Sequence, residues 1–253
     1  MRSWLASIIV FAACSSPDHG AVKIIGHGGS GTGGEHPIDS REALLGGLDM
    51  GLNGVEMDVQ LTADSVLVAF HDADLASAAS CKGKINAHTW GELWSCPVID
   101  GGKEYSIVRL DSLLREMATQ HPSADFTFDC KLFAEGDWWA YMGVFAARIA
   151  ALDSVTKGRI LVECQVTDFL DVMHRAAPDV DTYFYPTTFE GAVDTALAHH
   201  CAGITIDNAL ITAEQVASAK SRGLRVTLFG VGGALDQHEA LGKGPDRIQV
   251  DEL

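Results

Sequence analysis

What most constrains the fold of this chain is a repeated alternation of short apolar runs with longer amphipathic ones. Runs at 22–27, 54–59, 66–71, 125–131, 159–165, 181–185, 203–207 and 224–229 have the length and composition of strands. Between them, 112–117, 141–152, 169–175, 191–199 and 213–222 carry apolar residues three and four apart, as helices with one buried face do. Strand followed by helix, many times over, predicts an α/β architecture. A chain of 253 residues can bury one full core, and no linker, internal repeat or low-complexity segment divides it.

The chemistry gathers at the C-terminal tips of the strand runs. In Gly54-Val55-Glu56-Met57-Asp58, the two acids are two positions apart and point to the same face of a strand. A polar turn, Thr62 to Ser65, leads to a second run that ends in His71-Asp72. Upstream, Val22 to Gly26 ends in His27 and opens into Gly28-Gly29-Ser30-Gly31-Thr32-Gly33-Gly34, a loop whose bare backbone N–H groups suit a phosphate. Pro37 to Ser40 then reads as turn and N-cap before a helix that starts near Arg41. Later runs repeat the i, i+2 polar pair, with Asp129 and Lys131 in one and Glu163 and Gln165 in another. Tyr183, Tyr185 and Asp207 also lie close enough to strand ends to reach the same mouth, with rim solvation the expected role for Asp207. Carboxylates and imidazoles at neighbouring strand ends are the material of a hydrolytic metal site.

With these residues in order, the chain resembles the glycerophosphodiester phosphodiesterase family. That family's motifs are His-Arg-Gly followed by Pro-Glu-Asn-Thr, then Glu-x-Asp, a Thr-x-Asp turn and a strand ending in His-Asp. Here they read His27-Gly28-Gly29, Pro37-Ile38-Asp39-Ser40, Glu56-Met57-Asp58, Thr62-Ala63-Asp64 and His71-Asp72. The resemblance is specific over about residues 22–75. It implies a (β/α)8 TIM barrel at 22–253, with an insertion at about 74–110 between the third and fourth strands. It implies His27 and His71 as catalytic acid and base. Glu56, Asp58 and Asp129 would hold Ca2+ or Mg2+, and Lys131 would face phosphate. Gly28 would lie against substrate, while the polar pair of Glu163 and Gln165 leaves Glu163 either as a metal ligand or substrate contact or as a support behind them. The substrate implied is a small glycerophosphodiester, cleaved to glycerol 3-phosphate and an alcohol. Two other readings of the same residues are a phospholipase-type diesterase acting on other headgroup esters and a non-catalytic binding lipoprotein of the same fold. Besides the changes within Pro37-Ile38-Asp39-Ser40, two departures from the family bear on phosphate and metal. Its arginine after the first histidine, which faces phosphate, is Gly28, and its third acid, a glutamate, is Asp129.

Charge narrows the partners. Eighteen Lys and Arg against thirty-four Asp and Glu leave a net −16 without a basic stripe, which argues against nucleic acid and against broad adhesion to anionic lipid. Residues 1–13 read as a signal peptide, because the apolar run from Trp4 to Ala13 is too short to span a bilayer. Small residues before Cys14 and serines after it resemble a bacterial lipoprotein cleavage site. Cys14 is then the lipidated residue and 14–21 a tether, and the protein is exported and anchored to the cell envelope. Membrane contact is expected through that anchor alone, and oligomeric state stays open. Export permits a disulfide between Cys81 and Cys96 in the insertion, while Cys130, Cys164 and Cys201 read as buried thiols.

Overall fold

The computed structural model describes residues 21–253; the signal-peptide, Cys14 and tether expectations lie on or next to residues 1–20, outside the described residues. Eight parallel strands close into a barrel: β1 (Lys23–Gly26), β2 (Gly54–Leu61), β3 (Asp125–Cys130), β4 (Ile160–Cys164), β5 (Asp181–Phe184), β6 (Gly203–Asp207), β7 (Arg225–Val231) and β8 (Arg247–Val250). Each pairs with the next in the chain, and β1 closes the ring by pairing with both β8 and β2. Seven helices cover the ring: α1 (Arg41–Asp49), α2 (Leu110–Gln120), α3 (Trp138–Ala150), α4 (Thr167–Ala176), α5 (Ala192–Ala198), α6 (Ala213–Ser221) and α7 (Ala234–Gly242).

The helices follow from local chemistry. Ser40 caps α1 by accepting the Ala43 N–H, and Thr212 with Gln215 forms a capping box on α6. On α2, Leu110, Leu113, Leu114 and Met117 make the stripe that packs on the sheet. Along β2 every residue is buried, because Val55, Met57, Val59 and Leu61 face the helices while Glu56, Asp58 and Gln60 face inward.

The barrel has the predicted number of strands with one exchange of membership. The run at 66–71 is not a ring strand. Its core, Leu67–Ala69, pairs antiparallel with β2, since the short turn at 62–65 allows only a hairpin and a parallel return needs a crossover helix. The place in the ring belongs to β8, which sequence reading passed over together with α7. Helix α7 buries only Ala240, so it shows no apolar stripe to recognise. The insertion still follows the antiparallel strand, and it carries its own small core of Val68, Phe70, Leu75, Ile85, Leu93, Cys96 and Ile107. Cys81 and Cys96 are joined in a disulfide there. Cys130, Cys164 and Cys201 are free and buried.

Candidate active site

The C-terminal strand ends bring most of the singled-out residues to one mouth. Glu56, Asp58 and Glu163 are each about 1% exposed, and Asp129 follows at 8%. Glu56, Asp129 and Glu163 each offer an oxygen, and these three oxygens lie within 4.8 Å of one another. The Lys131 ammonium bridges two of the acids, 3.0 Å from Asp58 and 2.6 Å from Asp129. Glu163 therefore joins Glu56 and Asp129 in a close trio, and Asp58 lies in the same cluster with a buried, unpartnered Oδ2.

Each carboxylate has a distinct set of partners. The Gly28 N–H donates to Glu56 Oε2 at 2.8 Å, while Glu56 Oε1 and Asp58 Oδ2 are buried without a hydrogen-bond partner. Glu163 accepts from the Thr205 hydroxyl at 2.6 Å and from the Gln249 amide at 2.9 Å. Asp39 accepts the Asp58 backbone N–H at 2.9 Å from a left-handed turn, a conformation that Asp tolerates better than most residues.

Crowding of buried acids sets the electrostatics. Burial, then the charges of Asp58, Asp129 and Glu163, push Glu56 well above the usual carboxylate range. Burial and Asp129 push Glu163 up to about 7. Asp39 is raised by burial and by Asp58 and Glu56, and Asp129 by burial against the opposing pull of Lys131. Lys131 is held protonated, since Asp129 and Asp58 outweigh its burial. One lysine leaves this cluster with excess negative charge. Hard oxygen donors, two of them unpartnered, fit a divalent cation such as Ca2+ or Mg2+.

The two histidines are held differently. His27 follows β1, and its Nδ1 lies 2.6 Å from Asp251 Oδ1, which orients Nε2 to within 3.9 Å of Glu56. Burial lowers its basicity, but the hydrogen bond and charge of Asp251, with Asp58 and Glu163 beyond, leave it raised above the ordinary histidine value. His71 stands on the antiparallel strand's exit, half exposed, with Nδ1 3.0 Å from Asp72. Its backbone is tied to β2, because the Phe70 N–H donates to the Asp58 carbonyl at 2.8 Å and the Gln60 amide donates to the carbonyls of Phe70 and Asp72.

Several expectations change. The glycine-rich loop does not present a phosphate cradle, since the N–H groups of Gly28, Gly29, Gly31, Gly33 and Gly34 all donate within the protein. Its glycines serve close packing instead. A Cβ on Gly29 would meet the Ala43 carbonyl carbon of α1 at 2.4 Å, and Gly29 itself has φ of +109°. Tyr183 does not reach the mouth; it is fully buried, with the Arg225 guanidinium over its ring. Tyr185 does border the mouth as expected, packed edge-on to Phe229 and within range of the charges of Asp129 and Glu163, and Asp207 caps the Ala209 N–H on the rim, the place expected for it. Sequence reading missed Asp251, Gln60, Asp39 and Gln249. A signal for two of them was present, since Arg247-Ile248-Gln249-Val250-Asp251 alternates and ends in an acid as the other ring strands do.

A closed parallel barrel with an acid-lined, histidine-flanked C-terminal mouth defines a class of TIM-barrel protein with a hydrolytic type of site. Residues 30–253 match the glycerophosphoryl diester phosphodiesterase family, and the chain belongs to it. It is 26% identical over 161 residues to the uncharacterized protein YqiK of Bacillus subtilis, covering 63% of this chain and 64% of that protein. It is 37% identical over 71 residues to a glycerophosphodiester phosphodiesterase of Bacillus altitudinis, 28% of each chain. The matches thus span under two thirds of these relatives. In fold, it resembles a glycerophosphoryl diester phosphodiesterase structure from Silicibacter pomeroyi, with TM-score 0.81, 22% identity and coverage of 91% and 90%. A phosphodiesterase of Oleispira antarctica in complex with sn-glycerol-3-phosphate gives 0.75 at 20% identity, covering 90% and 92%.

Proposed function

We propose that this protein is an exported phosphoric diester hydrolase that cleaves glycerophosphodiesters to glycerol 3-phosphate and an alcohol in the presence of a divalent cation. The observation that carries this reading is the convergence of Glu56, Asp129 and Glu163 within 4.8 Å at the mouth where His27 and Lys131 also lie, in a member of this family. Glu56, Asp129 and Glu163 would hold Ca2+ or Mg2+, with Asp58 beside them through its unpartnered Oδ2. The cation, when bound, polarises the phosphoryl group and offsets the charge that develops on its oxygens.

The chain's own residues do the rest. Lys131, kept charged by two carboxylates, faces the phosphoryl oxygens. Asp251 holds the His27 ring so that Nε2 exchanges the proton, and His71 exchanges the second proton from the insertion side. One histidine takes a proton from the attacking oxygen, either water itself or a substrate hydroxyl whose cyclic phosphate water then opens, while the other gives one to the leaving alcohol.

The net charge of −16 favours soluble, deacylated substrates over membrane phospholipids, since it disfavours adhesion to anionic headgroups. Lys23 begins β1 at the face opposite the mouth. A lipid on Cys14 connects to that face through residues 15–22, about 28 Å at full extension. The test is release of the headgroup alcohol from glycerophosphocholine, glycerophosphoethanolamine, glycerophosphoinositol and lysophospholipids, with glycerol 3-phosphate as the co-product from the deacylated esters, with EDTA and metal add-back. Metal-dependent release from the deacylated esters supports the reading. Faster release from lysophospholipids transfers it to the phospholipase class, and no release from any supports a binding lipoprotein.

A further inference from the structure

The strand that delivers Asp129 and Lys131 runs into a loop, 132–137, that is fixed from two sides. The Asn86 amide of the insertion donates to the Glu135 carbonyl at 2.9 Å, and its Oδ1 accepts the Glu135 N–H at 3.1 Å. At the other end Asp137 caps α3 by accepting the Ala140 N–H. Held in this way, Leu132, Phe133 and Trp138 wall a pocket of about 190 Å³ together with Val166 from the exit of β4. Asp129 and Lys131 line the same pocket, so it adjoins the place given above to the phosphoryl group. Away from those two residues its polarity is low. The Trp138 indole N–H donates to the Leu132 carbonyl at 3.4 Å, which leaves the ring system as hydrocarbon and π surface. Gln165, exposed, is the one other polar side chain that lines the pocket among the described residues. Phe133 is 37% exposed, an aromatic ring set at the mouth and not in the core.

We infer that Phe133 and Trp138 are specificity-determining residues, which form the subsite for the alcohol half of the diester and select a quaternary ammonium alcohol. The inference rests on the diester hydrolysis proposed above. It follows from what each half of such a substrate asks of its surroundings. Glycerol carries hydroxyls, and a hydroxyl taken from water without a partner is costly. A pocket with one amide serves that half poorly, so it falls to the alcohol. Among alcohols, inositol repeats the demand with more hydroxyls. Ethanolamine brings an ammonium whose three N–H groups need acceptors. A trimethylammonium group has no N–H or O–H to satisfy. It sets methyl groups against Leu132 and Val166, and it carries a positive charge that the face of an aromatic ring attracts, most strongly that of Trp.

Glycerophosphocholine and glycerophosphoethanolamine differ by the methyl groups on nitrogen alone, so the ratio of their kcat/KM values reports on this pocket. With the full chain loaded with Ca2+ or Mg2+, the wild type is expected to favour the choline ester by about tenfold. Phe133→Leu and Trp138→Leu keep apolar bulk without the ring, and each is expected to reduce the ratio by about threefold or more, with Trp138→Phe restoring part of it. Circular dichroism checks the fold, and Phe133, being exposed, carries the test should a change at Trp138 disturb packing. Tetramethylammonium chloride is expected to inhibit the wild type competitively and the leucine variants more weakly. A ratio near one in the wild type, or faster turnover of glycerophosphoinositol, overturns this inference and leaves the hydrolase reading standing. So does a ratio unchanged in the folded variants. Release from none of the esters by the wild type overturns it together with that reading.

Discussion

Asp251 Oδ1 lies 2.6 Å from His27 Nδ1, although the two residues are 224 positions apart in the chain. The pair closes the barrel chemically at the seam where β8 meets β1, since the His27 N–H also donates to the Val250 carbonyl. Removing the carboxylate with Asp251→Asn leaves burial to dominate, so the His27 pKa falls in the metal-free protein. The sign for stability follows. A raised histidine stabilises the fold fully below about 6.5 and loses that contribution as pH rises through its raised folded value. The variant should lose this acid-side advantage. NMR titration of the His27 ring checks it, and an unchanged midpoint contradicts the role given to Asp251.

Replacing either His27 or His71 with alanine should lower kcat by about 10²- to 10⁴-fold while circular dichroism stays that of the wild type. Near-normal turnover in both variants would remove them from proton transfer.

Gln60 holds the His71 segment through two carbonyls, Phe70 at 2.7 Å and Asp72 at 2.9 Å. Gln60→Ala should cost kcat roughly tenfold or more through displacement of His71. Metal affinity should be little changed, because Gln60 touches none of the acidic trio. Equal losses in both would show a general collapse of the mouth instead.

The disulfide between Cys81 and Cys96 closes a span of 15 residues in a segment with a small core of its own. Its removal by Cys81→Ser with Cys96→Ser should destabilise the insertion by about 3 kcal/mol. Hydrogen exchange should rise across the insertion before the barrel is affected, and turnover should fall with it. Uniform exchange across both parts would contradict a local effect.

The buried acids make the metal-free protein less stable as pH rises. Glu163 is raised from 4.5 to about 7, so the folded state binds more protons than the unfolded one between those values. Stability in that window therefore falls with increasing pH. Adding Ca2+ or Mg2+ near pH 7 should release protons and raise Tm. Glu56→Gln should stabilise the metal-free protein and blunt the gain from metal. Thermal melts with and without EDTA measure both effects.

Much of the site was legible because it is carried by strand tips. Glu56 with Asp58, and Asp129 with Lys131, sit two apart in short apolar runs, and a strand sends such pairs to one side. The hidden part lay where local pattern was weak or belonged to another segment. Asp251 follows a strand preceded by a helix with one buried alanine, and Gln60 reads as an ordinary polar position until its carbonyl partners are seen. The glycine-rich loop misled in the opposite direction, since its composition suits phosphate while its hydrogen bonds are spent on the protein.

By itself, the order of residues along the chain determined the α/β alternation, the acids at the strand ends and the two histidines, because strand and helix periodicities are local properties. Tertiary structure decided which strand closes the ring and that His71 rides on an antiparallel hairpin. It also decided that Glu163 comes close to Glu56 and Asp129, and that Lys131 bridges Asp58 and Asp129. Those outcomes depend on barrel closure and on how buried charges share one lysine, and both join residues far apart in sequence.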